Sequence, residues 1–313
     1  MHRLVADGVL EIDTLLGGWT STTAGYLLTG PVPLLVETGS QSSVPVVQAA
    51  LAELGLGPQD LAGIALTHIH LDHAGGVGDL ARAFPTATVY VHELGARHLV
   101  DPSRLVASAQ RVYGALLDGL YGRLEPTAAD RIRVLGEGDT VDLGGGRLLS
   151  AVDSPGHARH HLGFHDPKSG LLFAGDAVGV RLPDGGVLRP STPPPDFDLD
   201  LALASLGKFA DRSPSALALA HYGVVPVPPD ELLGEAEETL RAWAREAERA
   251  YREGRDIAEA LDARFSADLS HLDEASRHRH ETLNGIHSNA AGLRRWLEHR
   301  PDAPAGTGGG APD

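Results

Sequence analysis

Three histidines and one aspartate fall within six positions of a single segment, His68-Ile69-His70-Leu71-Asp72-His73. Neutral imidazole and carboxylate are the donors that a borderline divalent ion such as zinc accepts. Residues two apart in an extended segment point the same way, so His68 and His70 can pinch one ion. Asp72 and His73 lie further along and can turn toward a second ion. The chain has no cysteine. Disulfides and thiolate ligands are therefore excluded, and any metal must be held by His, Asp and Glu. The competing reading is a chance cluster on a solvated loop, which 16 histidines in 313 residues rarely produce.

These residues need a rigid support. Leu61-Ala62-Gly63-Ile64-Ala65-Leu66 reads as a short buried strand. Gly75-Gly76 then breaks the chain before a helical stretch ending near Phe84-Pro85. The cluster therefore sits on a strand-to-helix loop, where side chains can be presented while the core stays fixed. Three later strands also end in potential ligands. Arg147–Val152 leads into Ser154-Pro155-Gly156-His157-Ala158-Arg159-His160-His161, the apolar run from Gly170 ends in Gly175-Asp176, and the run from Ala216 ends in His221-Tyr222-Gly223. Each signal is weak alone, but all follow strands, as a site on one sheet edge requires. Spacing does not choose among His157, His160 and His161.

The pattern Thr67-His68-x-His70-x-Asp72-His73-x-Gly75-Gly76 resembles the diagnostic motif of the metallo-β-lactamase-fold hydrolase superfamily. The resemblance runs from about Val9 to about Val225. It implies an α/β chain folded as an αββα sandwich, with a one- or two-metal site at one edge. By the same resemblance, Pro155-Gly156-His157 is the position of the third histidine on the first metal, Asp176 is the bridging carboxylate and His221 is the fourth histidine. His161 falls where relatives place a hydrogen-bonding partner behind the ligands. Glu37-Thr38-Gly39 stands where relatives usually carry Asp-x-Gly, so its longer acid is expected to buttress the metal loop. The loop Leu16–Thr23 would lie beside the metals, with Trp19 either on the substrate or capping a core edge.

The resemblance thus implies two divalent ions, zinc foremost, with iron or manganese as alternatives. His68, His70 and His157 hold one ion, Asp72, His73 and His221 hold the other, and Asp176 bridges. Ions roughly 3.5–4 Å apart can share a water and lower its pKa to about 7. The resulting metal-bound hydroxide would attack an electrophilic carbonyl. Asp72 would orient it, and Tyr222 would donate to the oxyanion or point into the core.

The remaining elements frame this site. Strands are expected at Leu4-Val5 and Val9–Ile12 around Asp7-Gly8, at Ala24–Thr29 and Leu34–Val36, and at Thr88–Val91. His92-Glu93 reads as structural. Val44–Leu54 and Ser103–Leu120 carry helical spacing, the latter as core packing or a pocket wall. Arg131–Val134, Thr140–Leu143 and Arg147–Val152 read together as the start of a second sheet. Val180–Asp200, with five prolines and Arg181 and Arg189, is too long for a simple connection. It is expected as a pocket wall that could set an arginine near an anionic substrate. From Pro229 the composition turns helical, with Glu231–Arg252, Asp256–Arg264 and His271–His299 as helices. His278 and His280, two apart on a helix, diverge and are not expected to form a metal pair. The expected division is 1–228 for the catalytic domain, 229–300 for a C-terminal helical region and 301–313 for a disordered tail.

Composition narrows the function. The net charge is −16, which disfavours a phosphate-tracking surface, so no nucleic-acid partner is expected. No run of 18 apolar residues is present, and no membrane partner is expected. The start, Met1–Asp7, lacks a long apolar stretch, which points to a cytoplasmic location as the default. The leading expectation is a dinuclear hydrolase of a small-molecule acyl substrate, a thioester, lactone or similar, closer to glyoxalase II than to secreted lactamases. Phosphodiester cleavage and iron-dependent oxygen chemistry are the alternatives within the same superfamily. Assembly as a homo-oligomer is compatible with the sequence.

Overall fold

The structure is a computed structural model and describes residues 2–300; the tail expected at 301–313 lies outside the described residues. Strand β1 (His2–Ala6) and strand β2 (Val9–Asp13) form a hairpin across Asp7-Gly8. Gly8 takes φ +65° there, a left-handed turn conformation open to glycine. Strands β3 (Ala24–Leu28) and β4 (Leu34–Val36) continue antiparallel. Helix α1 (Val44–Glu53) then crosses to β5 (Gly63–Ala65), which runs parallel to β4. Helices α2 (Leu71–Ala74) and α3 (Val77–Ala83) lead to β6 (Thr88–His92). Helices α4 (Glu93–Val100) and α5 (Ser103–Tyr113) lead to β7 (Ile132–Leu135). The seven strands lie in sequence order in one sheet.

The second sheet has the order β13-β12-β11-β10-β9-β8. It begins with a meander of β8 (Thr140–Asp142), β9 (Leu148–Asp153), β10 (Leu162–Asp166) and β11 (Leu171–Gly175). Helix α6 (Leu199–Asp211) crosses to β12 (Ala216–Leu219), parallel to β11, and β13 (Gly223–Val224) turns back on it. Four helices close the chain: α7 (Pro229–Arg252), α8 (Ile257–Phe265), α9 (Glu274–Asn284) and α10 (Ile286–His299).

Three expectations need correction. The strand at 131–134 belongs to the first sheet, where Val89 pairs with Ile132 and the strands run parallel. Its glycine-rich turn to β8 suggested a local hairpin, whereas its partner is β6, across α4 and α5. The helix expected over 103–120 stops at Tyr113, because Gly114 leaves the helical region at φ +55°, ψ −127°. Leu117–Tyr121 then forms a separate wide turn. The helix expected over 271–299 is two helices, broken at Gly285, whose ψ of 150° is extended.

Strand alternation explains the layering. In the first sheet Leu27, Leu35 and Ile64 face α1 and α3, while Tyr26, Leu28, Leu34, Val36 and Ala65 face the second sheet. In the second sheet Leu171, Phe173 and Ala218 face inward, while Leu172, Ala174, Leu217 and Leu219 face α6, α7, α8 and α10. The result is the αββα sandwich. Each fully buried large side chain in these layers contributes about 1.5–3 kcal/mol. The Tyr26 hydroxyl crosses between the sheets to donate to the Leu219 carbonyl at 2.5 Å. Trp243 and Trp296 share one apolar cluster with β11 and β12.

Candidate metal centre

The cluster forms where the first sheet ends. β5 ends at Ala65, the chain bends at Thr67, and His70, with ψ 152°, precedes the first turn of α2. That turn separates the two ligand sets. Nε2 of His68 and Nε2 of His157 each lie 3.0 Å from Nδ1 of His70. After the turn, Asp72 Oδ2 lies 3.6 Å from Nε2 of His73 and 3.5 Å from Nε2 of His221. Asp176 faces both sets: one oxygen is 3.5 Å from Nε2 of His157, and the other is 3.4 Å from Nε2 of His221 and 3.5 Å from Nε2 of His73. The seven candidate ligands thus come together in three overlapping groups, His68, His70 and His157, then His68, His73 and Asp176, then Asp72, His73 and His221, and within each group the ligand atoms are within 4.8 Å of one another.

The glycines in these motifs are dictated by close approach. Gly156 takes φ +135°, and a Cβ there would lie 2.3 Å from the Ala202 backbone on α6. Gly175 takes φ +51°, and a Cβ would lie 2.5 Å from the His161 ring. The turn before His157 and the end of β11 before Asp176 thus need glycine to seat the next residue.

The outer nitrogens of four ligand histidines are engaged. His68 Nδ1 pairs with the Thr67 hydroxyl at 3.0 Å, and His73 Nδ1 with Glu37 Oε2 at 2.8 Å. His157 Nδ1 donates to the Ser191 carbonyl at 3.1 Å, and His221 Nδ1 to the Thr22 carbonyl at 2.9 Å. A neutral imidazole carries one proton, so donation outward leaves a lone pair on the inward nitrogen of His157 and His221. The inward face thus collects acceptors without matching donors. Asp176 Oδ1 is buried and has no hydrogen-bond partner. Convergent lone pairs and an orphaned carboxylate oxygen, all desolvated, are costly unless a cation occupies the middle. The donor set therefore fits divalent metal, and the outer partners fix ring orientation as they do around bound metals.

The electrostatics agree. Burial, followed by the neighbouring histidines, holds His68 and His70 well below the usual imidazole pKa, so both are neutral and ready to ligate. Burial also opposes charge on His73, but Asp72, Asp176 and Glu37 outweigh it and raise its pKa to about 10. Burial pushes the Asp176 carboxyl up, yet His221, His73 and His157 bring it below the ordinary carboxylate value. Burial opposes charge on His221 too, but Asp176 and Asp72 outweigh it and raise its pKa, so the carboxylates favour positive charge at His73 and His221, a setting for a cation.

The competing histidines are resolved by their bonds. Nε2 of His161 accepts from the Asp176 backbone N–H at 3.2 Å, and its Nδ1 lies 2.8 Å from the Ser154 hydroxyl. His161 thus braces the ligand loop and has no nitrogen left for a metal. The His160 ring stands 5.9 Å from that of His70, outside the ligand groups. Glu37 holds His73 with one oxygen and the Thr67 backbone N–H with the other, at 2.8 Å. His92 caps α4 through its Nδ1, as a structural residue.

Tyr222 goes elsewhere. It packs against the inter-sheet cluster, and its hydroxyl lies among Glu11, Asp13, Ser21 and Arg3. Burial and those carboxylates push its pKa up to about 12. The side chain leaves the metal face because Gly223 must return immediately along β12 to make β13. Tyr113 and Tyr121 pair with ring centroids 4.5 Å apart, and burial, followed by neighbours that include the charge of Asp72, raises both phenol pKa values. They lie in the broken end of the expected helix, and nothing in their spacing announced them. Trp19 packs beside Gly17 and Leu120 on the first sheet's outer cluster. Arg181 and Arg189 turn toward the C-terminal helices, pairing with Glu235 at 2.7 Å and Glu281 at 3.3 Å.

A two-sheet sandwich with a histidine–aspartate cluster at the strand ends is a scaffold able to hold divalent metal. Residues 17–221 match the sequence profile of the metallo-beta-lactamase superfamily, and the chain belongs to that superfamily. It is 33% identical over 166 residues to the metallo-beta-lactamase fold-containing protein ST1585 of Sulfurisphaera tokodaii, covering 52% of this chain and 60% of that one. The crystal structure of ST1585 superposes with a TM-score of 0.68 at 24% identity, covering 92% of this chain and 98% of that one, a likeness of fold. A hydroxyacylglutathione hydrolase of Synechococcus is 31% identical over 153 residues, covering 49% of this chain and 48% of the relative. The acyl-coenzyme A thioesterase MBLAC2 of Gallus gallus is 33% identical over 129 residues, covering 40% and 44%. The matched stretch thus spans under two thirds of each of these relatives' lengths. Among the described residues, no helix is long and apolar enough to cross a membrane.

Proposed function

We propose that this protein is a dinuclear metal-dependent hydrolase of a small acyl substrate, a thioester or lactone or similar bond. The observation that carries the reading is the sharing of Asp176 between two ligand sets, one of His68, His70 and His157 and one of Asp72, His73 and His221. Hydrolysis as a class is supported by the relatives named hydroxyacylglutathione hydrolase and acyl-coenzyme A thioesterase, one a hydrolase and the other a thioesterase by name.

Two divalent ions, zinc foremost, would supply Lewis acidity and a water ionised near pH 7. The chain's own groups then divide the remaining work. Asp72 has a side chain 15% exposed, against 6% or less for Asp176, His73 and His221, so it is the ligand carboxylate that meets incoming water. Its free oxygen would accept a hydrogen bond from a water and orient it toward a carbonyl; burial opposes its charge, but His73 and His221 outweigh this and keep the carboxyl ionised for that role. Asp176, His157 and His221 are buried and serve to hold geometry. No serine, cysteine or lysine nucleophile is needed.

The test is elemental analysis of the purified protein together with a substrate panel. The expected result is about two metal equivalents and turnover of acyl thioesters or lactones well above that of bis(p-nitrophenyl) phosphate. His70→Ala and Asp176→Ala should each abolish it. Preference for the phosphodiester would replace acyl transfer with phosphodiester cleavage. Iron as purified, with oxygen consumption, would replace hydrolysis with oxygen chemistry.

A further inference from the structure

We infer that Asn289, on the C-terminal helix α10, is a positioning residue for the metal ligand His157, acting through residues 190–192. The inference rests on the metal-centre reading above. The segment after Arg189 lies between the metal site and the C-terminal helices, and its successive groups point to opposite sides. On one side the Ser191 carbonyl accepts from Nδ1 of His157 at 3.1 Å, and the Ser191 hydroxyl reaches Asp176 Oδ2 at 3.4 Å. On the other side Pro190 and Thr192 are gripped by α9 and α10.

The grip is a closed buried network. Oδ1 of Asn289 accepts from the Thr192 backbone N–H at 2.7 Å and from its hydroxyl at 2.8 Å. Nδ2 of Asn289 donates to Asn284 Oδ1 at 2.8 Å and to the Gly285 carbonyl at 3.1 Å. Asn284 in turn donates to the Pro190 carbonyl at 3.0 Å. Asn289 and Thr192 are fully buried. One turn beyond Asn289, Gly292 lets the helix backbone touch the segment: a Cβ there would lie 1.9 Å from the Thr192 carbonyl oxygen. A surface-docked helix would need neither a buried amide with both ends used nor a contact admitting only glycine. A satisfied buried network fixes one arrangement, because breaking any member strands the others. What it fixes here is the Ser191 carbonyl, and so which nitrogen of His157 keeps its proton and where the other aims.

The consequence is that the C-terminal helices form part of the metal centre although they supply no ligand. Partners behind a ligating histidine typically change metal affinity ten- to hundredfold. The experiment is competitive titration of the full-length protein with Zn2+ against a chromophoric chelator, with visible spectra of the Co2+-loaded protein. Asn289→Ala should bind the metal at the His157 site at least tenfold more weakly and shift the Co2+ spectrum. Thr192→Val, which keeps shape and removes one hydroxyl, should weaken binding in the same direction, and Thr192→Ser should restore it. Leu261→Ala loosens the same helical layer without touching residues 190–192 and should bind as wild type with an unchanged spectrum. Wild-type affinity and spectrum in Asn289→Ala and Thr192→Val, or an equal loss in Leu261→Ala, would overturn the inference while leaving the metal centre standing. A wild-type protein that takes up no metal would overturn both.

Discussion

Glu37 Oε2 lies 2.8 Å from Nδ1 of His73, and both side chains are buried. The backbone at Glu37 takes φ +65°, an uncommon conformation for a non-glycine residue. The side chain leaves β4 from that kink and spans to the metal loop, where its second oxygen holds the Thr67 N–H. One acid therefore sets both the start of the ligand loop and the orientation of its last histidine. Glu37→Gln keeps the shape and removes the charge that makes His73 a stronger donor. We expect metal affinity to fall about tenfold or more, measured by chelator competition. Glu37→Asp should fare no better, since a chain one methylene shorter cannot reach both partners. Affinity unchanged in both variants would make Glu37 a bystander.

Asp176 turns one oxygen toward His157 and the other toward His73 and His221. Asp176→Asn keeps the size and one acceptor oxygen but loses the charge shared between them. Metal content is expected to fall from about two equivalents to one or fewer, with activity lost in step. Two retained equivalents in Asp176→Asn would show that the sets fill independently and that the carboxylate does not bridge.

Much of this site was legible because its signals are local. His68, His70, Asp72 and His73 are neighbours in sequence, and the short helix that starts at Leu71 carries Asp72 and His73 away from His68 and His70. His157 and His221 were reached through strand ends preceding or following glycine, with roles taken from the resemblance. What was not legible depends on contacts far apart in sequence. β7 was misassigned because its partner β6 is some forty residues back, and parallel pairing leaves no turn signature. Tyr222 was placed beside its metal-ligand neighbour in sequence, yet adjacent strand-end residues face opposite ways. Asn284 and Asn289 carry no motif at all. A buried amide is recognisable only by what it bonds, and both bond to a loop about ninety residues upstream.

Metal removal should be felt by the fold as well as the chemistry. Without a cation the centre holds buried carboxylates and convergent imidazole lone pairs, a desolvated arrangement with partners missing. A ligand that binds only the folded chain stabilises it by about 4 kcal/mol at a thousandfold excess over its Kd. Treatment with a strong chelator is therefore expected to lower the thermal midpoint by several degrees, and Zn2+ to restore it. His70→Ala should show a smaller metal-dependent shift. An identical midpoint with and without metal in the wild-type protein would mean that the cluster is satisfied as it stands.

Arg147 and Asp166 form a second buried polar feature, remote from the ligands. Nη2 of Arg147 meets Asp166 Oδ2 at 2.5 Å, and Nη1 reaches across to the Thr29 carbonyl at 3.1 Å, linking the two sheets. Burial pushes the Asp166 carboxyl up, but its bonds with Arg147 and Ser169 outweigh this and hold the folded pKa below the ordinary value. Because the folded pKa is the lower one, the pair's contribution is full above the unfolded carboxylate value near 4 and is lost as pH falls through the folded value. Asp166→Asn leaves a buried guanidinium without its counter-charge, which costs about 3–5 kcal/mol at neutral pH. Two carbonyl bonds remain to Arg147, so the lower end is expected. Denaturant unfolding at pH 7 should show that loss, and the gap between variant and wild type should narrow below pH 4. A gap that stays constant down to pH 3 would mean that the loss comes from packing or hydrogen-bond geometry and not from the charge on Asp166.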